Sequence, residues 1–187
     1  MSRLIYYVAS SLDGFIADEH DSLDWLLSQE QTPGGGNDYE AFIANVGAIA
    51  MGSTTYEWVL AHGGWSYDMP AWVLTTRGLT APASPGAGGA ADVRFARGDV
   101  REVHDAMRDA AGGKDLWVVG GGDLAGQFSD AGLLDEVHIS IAPVTLGSGR
   151  PLLPRRLDLD LIEHGTNGAF LTARHSVRRR GDSSRSR

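Results

Sequence analysis

The chain contains no cysteine. That excludes a disulfide framework, a cysteine-ligated zinc and a thiol nucleophile, and it makes the cytoplasm the expected compartment. It has no run of 18 apolar residues, so no transmembrane helix is expected. The opening stretch MSRLIYYVAS carries one arginine but neither a long apolar core nor a small-residue cleavage site, and it reads as a first strand rather than a secretory signal. Lysine is nearly absent: Lys114 stands against fifteen arginines. The six histidines (His20, His62, His104, His138, His164 and His175) show no metal-ligand spacing, so no metal is expected.

What is present suits a folded domain. Of 187 residues, 42% are hydrophobic and 21% charged, which is too apolar for a disordered chain. The net charge of −8 is unevenly spread. The last ten residues, 178–187, hold five arginines and one aspartate, so the acidity lies in the body. An acidic body argues against broad nucleic-acid binding, and 178–187 is expected to be a solvated, disordered tail. RNA contact through that tail is the rival expectation, and it would be salt-dependent.

Apolar runs at residues 3–9, 48–51, 72–76, 93–96, 116–119 and 136–144 read as strands. Helical spacing appears over 38–46, 54–60, 99–111 and 124–131, with Ser53 or Thr54 and Asp99 as caps. Phe15–Ala17 reads as a short extended piece, 18–37 as a polar loop and 81–91 as a low-complexity surface loop. Residues 159–164 and 168–177 form a closing antiparallel pair around Asn167-Gly168. Strand and helix alternate and the chain ends in a hairpin. This predicts one domain over 1–177: three-layer α/β/α, with a mostly parallel mixed sheet and an antiparallel C-terminal hairpin.

Sheets of this kind take ligands beyond the carboxyl ends of their strands. Four such ends carry small or hydroxyl residues: Ser11–Ala17, Met51–Tyr56, Leu74–Arg77 and Val119–Leu124. Gly52, Ser53, Thr54 and Thr55 suit either phosphate binding at a helix start or plain capping. Thr75, Thr76 and Arg77 suit a second anion or a solvated loop. Gly120, Gly121 and Gly122 allow a pyrophosphate to approach the backbone, while Asp123, next to Leu124, would oppose one. Asp38 and Phe42 share a helix face at i and i+4, so Asp38 is either a cap or a carboxylate facing a ring edge, with a pKa raised by desolvation. Trp25 and Trp65 fall in loops and are candidate walls for a planar substrate.

With these motifs in place, the chain from Leu4 to about Val177 resembles the superfamily of dihydrofolate reductase and the reductase domain of riboflavin-biosynthesis deaminase-reductases. The most specific stretches are Gly120-Gly121-Gly122 through Gln127-Phe128 and Pro143 through Leu146-Gly147-Ser148-Gly149. The resemblance implies NADPH as hydride donor. The pyrophosphate would lie by Gly52, Ser53, Thr54 and Thr55, and the 2′-phosphate by Thr75, Thr76 and Arg77. The paired glycines Gly121 and Gly122 would face the pyrophosphate and nicotinamide, with Ala9 and Ile16 flanking the ring. It also implies a pterin or pyrimidine beside Asp38 and Phe42. Three departures stand out: Ser53 where many members have arginine, Tyr7 where the riboflavin branch has lysine, and Gly120 where that branch has glutamate. The expectation is an NADPH-dependent reductase of a small heteroaromatic or imine substrate, as a homodimer without nucleic-acid or membrane partners. The alternative is a nucleotide-binding protein of the same fold without catalysis.

Overall fold

The computed structural model describes residues 2–82 and 91–179. β1 (Leu4–Ser10) is the seven-residue apolar run near the start. It lies inside the sheet, paired in parallel with β6 (Asp115–Gly120) on one side and β7 (Glu136–Ile141) on the other. Both of its faces are covered, which is why Leu4, Ile5 and Tyr6 are all buried instead of alternating with polar residues.

The remaining strands are β2 (Phe15–Ala17), β3 (Val46–Gly52), β4 (Ala71–Leu74), β5 (Val93–Ala96), β8 (Arg150–Pro151), β9 (Leu159–Asn167) and β10 (Phe170–Val177). The helices are α1 (Asp24–Leu27), α2 (Tyr39–Ile43), α3 (Ser53–Ala61), α4 (Val100–Ala110) and α5 (Gly122–Asp130). Eight strands form one sheet in the order β5-β4-β3-β6-β1-β7-β10-β9, and β2 pairs separately with β8. The strands from β5 to β7 run parallel; β10 and β9 are antiparallel. This is the expected mixed sheet with its antiparallel hairpin. The hairpin turns through Gly168, whose φ of +57° suits the first central position of a tight two-residue turn.

Helices cover both faces. α4 and α5 place Val100, Val103, Met107, Leu124 and Phe128 against Leu4, Tyr6, Ala48, Ala50, Leu116 and Val118. On the opposite face Phe42, Ile43 and Tyr56 pack with Ile49, Met51, Val73, Trp65 and Trp117. Asp99 caps α4 by accepting from Arg101 N, as its sequence predicts.

Several boundaries differ from expectation. The helix expected over 38–46 is the short α2, because Val46 is drawn into β3, where it is buried. The strand expected to reach Thr76 stops at Leu74, where Thr75 Oγ1 accepts from Arg77 N and turns the chain. α3 is capped by Gly52 rather than by Ser53 or Thr54, both of which lie inside the helix or its first turn. The polar loop 18–37 contains α1. Most of the low-complexity loop, 83–90, lies outside the described residues. So do residues 180–187 of the expected tail, whereas its first two residues are paired: Arg178 with Asp160, and Arg179 3.4 Å from Asp135.

Candidate functional site

The parallel strands end along one edge, and the four segments singled out in the sequence follow β4, β3, β6 and β1, which are direct neighbours. The edge therefore reads, in order, Thr75–Arg77, Gly52–Thr55, Gly120–Leu124 and Ser11–Ala17. α3 and α5 start on adjacent strands with glycine N-caps, Gly52 and Gly121, and neither helix has a side-chain cap. Their first-turn N–H groups thus face this edge without side-chain partners, which is where a helix offers itself to phosphate.

The glycines divide into two kinds. A Cβ on Gly52 would stand 3.9 Å from Gly120 O, and one on Gly121 would meet only Ile16 Cδ1, at 3.7 Å. These two leave open space between the strand ends, with Ile16 as its apolar border. Gly120, joined to Gly121 by a cis peptide, is buried beneath Thr55, whose Oγ1 lies 3.1 Å from the position of a Cβ. Gly122 serves packing: a Cβ there would run into the carbonyl oxygens of Pro151 and Leu152. Leu124 is also a packing residue, buried in the core below α5. Asp123 turns aside to Gln127 Nε2 and Arg155, each at 2.9 Å, so its charge is engaged away from the edge.

Thr75 is nearly buried and its hydroxyl can still donate, while Thr76 is exposed. Arg77 is committed elsewhere. Its guanidinium forks onto both oxygens of Glu57 at 3.1 and 2.7 Å, and Glu57 is one turn along α3 from Ser53. Ala9, half-buried, is the penultimate residue of β1, opposite Ser140.

Ile16 is held in place by a fastening that sequence reasoning missed. The Asp13 carboxylate accepts from Ser11 Oγ at 2.6 Å and from the backbone N–H groups of Leu146 and Gly147. The hydroxyl and amide donors lower its pKa to about 2. The Ser-Leu-Asp-Gly and Leu-Gly-Ser-Gly stretches, far apart in sequence, are thus two halves of one joint, extended by the pairing of β2 with β8.

Asp38 and Phe42 line a cavity of about 710 Å³ on the face of the sheet, together with Arg3, Tyr7, His138 and Arg174. This cavity contains none of the glycine or threonine edge residues. Asp38 is the N-cap of α2 and accepts from Ala41 N and Gly34 N, each at 2.8 Å. Those amides hold its carboxyl below the ordinary range, which overturns the expectation of a pKa raised by desolvation. Phe42 stacks on Tyr7 at 4.3 Å between centroids, and Trp117 stands edge-on to it at 5.5 Å. Tyr39 and Tyr67 complete an aromatic cluster around Trp117. Burial, reinforced by Asp38 and Tyr39, pushes the Tyr7 phenol up to about 12. The sequence gives little warning of this cluster, whose members come from β1, α2, β6 and a loop.

Of the two loop tryptophans, neither lines the cavity beside Asp38. Trp65 is buried in the core, and Trp25 donates to Ser22 O within its own segment and lies outside the cavity lining. Among the described residues no cluster of His, Asp or Glu could hold a metal ion, and no helix is long and apolar enough to cross a membrane.

Comparison with known families settles the relationship. The RibD C-terminal domain model matches residues 2–168. The chain belongs to this family. The uncharacterised protein YwjB of Bacillus subtilis is 33% identical over 152 residues, covering 80% of this chain and 82% of that protein. A putative riboflavin biosynthesis protein from Shewanella sp. PV-4 is 27% identical and superposes with a TM-score of 0.76 over 96% of this chain and all of that one. At the level of fold alone, the chain also matches dihydrofolate reductase from Enterococcus faecalis complexed with NADP(H). There the TM-score is 0.53 at 14% identity, covering 94% of this chain and 95% of that one.

Proposed function

We propose that this RibD C-terminal domain is an NADPH-dependent reductase that transfers hydride to a small heteroaromatic or imine-bearing substrate, of the dihydrofolate or 5-amino-6-(5-phosphoribosylamino)uracil kind. The observation that carries this is the convergence of four candidate segments on adjacent strand ends, with two uncapped helix starts and the open Gly52–Gly121 gap between them. That gap is space that side chains would otherwise fill, so the residues present fit an extended phosphorylated dinucleotide. Bound there, the dihydronicotinamide supplies the hydride. The chain's part is to hold it: Gly52, Gly121 and the first-turn amides of α3 and α5 at the pyrophosphate, Ser53, Thr54 and Thr55 with hydroxyl donors, and Ala9 and Ile16 beside the ring.

One observation favours a second reading, nucleotide binding without catalysis. Asp38, the one carboxylate expected to serve as an acid, is occupied in capping, and Tyr7 and Gly120 replace the lysine and glutamate of the riboflavin branch. Single-turnover mixing of the NADPH-loaded protein with dihydrofolate and with the ribosylaminopyrimidine, followed at the reduced-nicotinamide absorbance, separates the two. Oxidation of bound NADPH by either substrate supports the reductase. Tight NADPH binding with no oxidation by either supports the binding protein.

A further inference from the structure

Two arginines follow β4 and β5 at the strand ends, Arg77 and Arg97, while Arg94 stands within β5 opposite Trp72, near its start. Arg77 is forked onto Glu57, with both side chains about half exposed. Arg94 is forked onto Asp92 at 2.8 and 2.7 Å and lies over the Trp72 ring. Arg97 is exposed and makes no ion pair or side-chain hydrogen bond among the described residues. Its place is fixed by register. Leu74 of β4 pairs with Ala96 of β5, and Thr75 N donates to Ala96 O at 3.0 Å. Arg97 therefore follows the end of β5 alongside Thr75 and Thr76, one strand spacing away. Asp99, two residues on, is engaged by Arg101 N in capping α4.

We propose that Arg97, not Arg77, is the cation that selects a dinucleotide phosphorylated on its adenosine ribose, with Glu57 withholding Arg77 from that role. The inference rests on the dinucleotide site proposed above and assigns its specificity. A guanidinium already matched to a carboxylate offers an incoming phosphate little net charge, and separating the pair to bind one forfeits an existing two-point contact. An unpaired guanidinium that follows the neighbouring strand end has neither cost.

The test is the ratio of NADPH to NADH affinity, measured by fluorescence titration of the intact chain and of three variants. Arg97→Ala should reduce the preference for NADPH by about tenfold to a hundredfold, the range for one charge-assisted hydrogen bond, with NADH affinity little changed. Arg97→Lys should restore part of it, and the wild-type preference should shrink as salt is added. Arg77→Ala should leave the ratio nearly unaltered. Glu57→Gln should raise it, because Arg77 is then released. Loss of the preference in Arg77→Ala with Arg97→Ala unaffected overturns the assignment. So does equal wild-type affinity for the two nucleotides, although the dinucleotide site itself would then stand. If the wild-type chain binds neither nucleotide, the site reading fails and the assignment with it.

Discussion

The two ends of the same parallel strands are built on opposite plans. At the amino-terminal end, charge is saturated: Arg3 bridges Asp115 at 2.6 Å and Glu136 at 2.7 Å, and Glu136 also holds His138 at 2.7 Å. Arg174 lies 3.6 Å from Glu136 and 3.1 Å from Glu163. At the carboxyl end the same strands finish in Gly52, Gly120 and Ser10, with helix amides left without side-chain caps. The end richest in acid, base and histidine is the one whose groups satisfy each other. The end with the plainest residues is the one with capacity to spare. The buried His138–Glu136 pair is matched by Arg3 and Arg174, whereas the opposite edge is marked by side chains that are missing.

The sharpest way to break this contrast is to cut the saturated end. Glu136 is buried, and removing it leaves His138 Nε2 without its partner and Arg3 with Asp115 alone. Glu136→Ala should cost about 1–3 kcal/mol, the usual penalty for leaving a buried hydrogen-bonding group unsatisfied. In a chain of this size that corresponds to a fall in Tm on the order of 5 °C by calorimetry. The dinucleotide edge lies at the other end of the strands, so the surviving folded protein should bind NADPH as before. A Tm within a degree or two of wild type would mean the network is merely superficial.

At the carboxyl end the prediction has the opposite form. Gly121→Val should weaken NADPH binding at least a hundredfold, about 2.7 kcal/mol, while the circular dichroism spectrum stays native, because the added carbon meets only Ile16 at contact distance. Gly122→Ala, one residue on, should instead destabilise the fold by about 1–3 kcal/mol through overpacking against the Pro151 and Leu152 carbonyls. Two neighbouring glycines should thus fail in different assays, one in titration and the other in denaturant unfolding. If both lose binding without losing stability, the division of the glycines into gap and packing is wrong.

The sequence made the glycine- and hydroxyl-rich strand ends legible because strand-end composition is local. Glycines and hydroxyls sit within a few residues of an apolar run, and parallel topology then brings the ends together without further information. The Asp99 cap of α4 and the closing hairpin were legible for the same reason, whereas α5 starts at Gly122, two residues before the expected Leu124. What could not be seen was cross-chain pairing. Nothing near Arg77 in sequence announces Glu57, twenty residues earlier on α3, and Arg97 looks like any solvated arginine until the Leu74–Ala96 register sets it beside Thr75. The role of Asp13 could not be seen in sequence because its amide donors lie more than 130 residues away. Asp38 was legible as a candidate, but its two meanings, cap and catalytic carboxylate, differ only in where a loop amide such as Gly34 N happens to point.

Acid should expose the saturated end before the open one. Burial lowers the His138 pKa below its ordinary 6.5, with the Glu136 hydrogen bond only partly opposing it. A depressed folded pKa means the unfolded chain binds the proton more readily. The stability gained by keeping His138 neutral is therefore complete above about pH 6.5 and is lost as the pH falls below it. For Glu136, burial alone would raise the pKa, but the His138 and Arg3 contacts bring it net below 4.5, so its contribution is lost lower still, as the pH drops beneath that value. The denaturation midpoint should fall continuously from pH 7 to pH 4, and His138→Gln should flatten the upper part of that slope. A midpoint that rises on acidification to pH 5 would contradict the assignment of a neutral, buried His138.

The smallest expected effect belongs to Asp38, and it sharpens the comparison most directly, because Asp38 lies between the two ends with Phe42 stacked over Tyr7. Amides from Ala41 and Gly34 keep its carboxyl ionised well into the acid range. A group that stays ionised from pH 5 to pH 9 has no proton to donate there, although it can still orient a protonated ring edge. Asparagine caps a helix about as well as aspartate, so Asp38→Asn should change stability by only a few tenths of a kcal/mol. In single-turnover hydride transfer it should lower the rate by whatever the charge contributes to binding the ring, and leave the shape of the pH–rate profile between 5 and 9 unaltered. If instead the wild-type profile breaks within that window and the break disappears in Asp38→Asn, the carboxylate is released from its cap when substrate binds and is the acid after all. A profile that breaks identically in both proteins places the titrating group elsewhere.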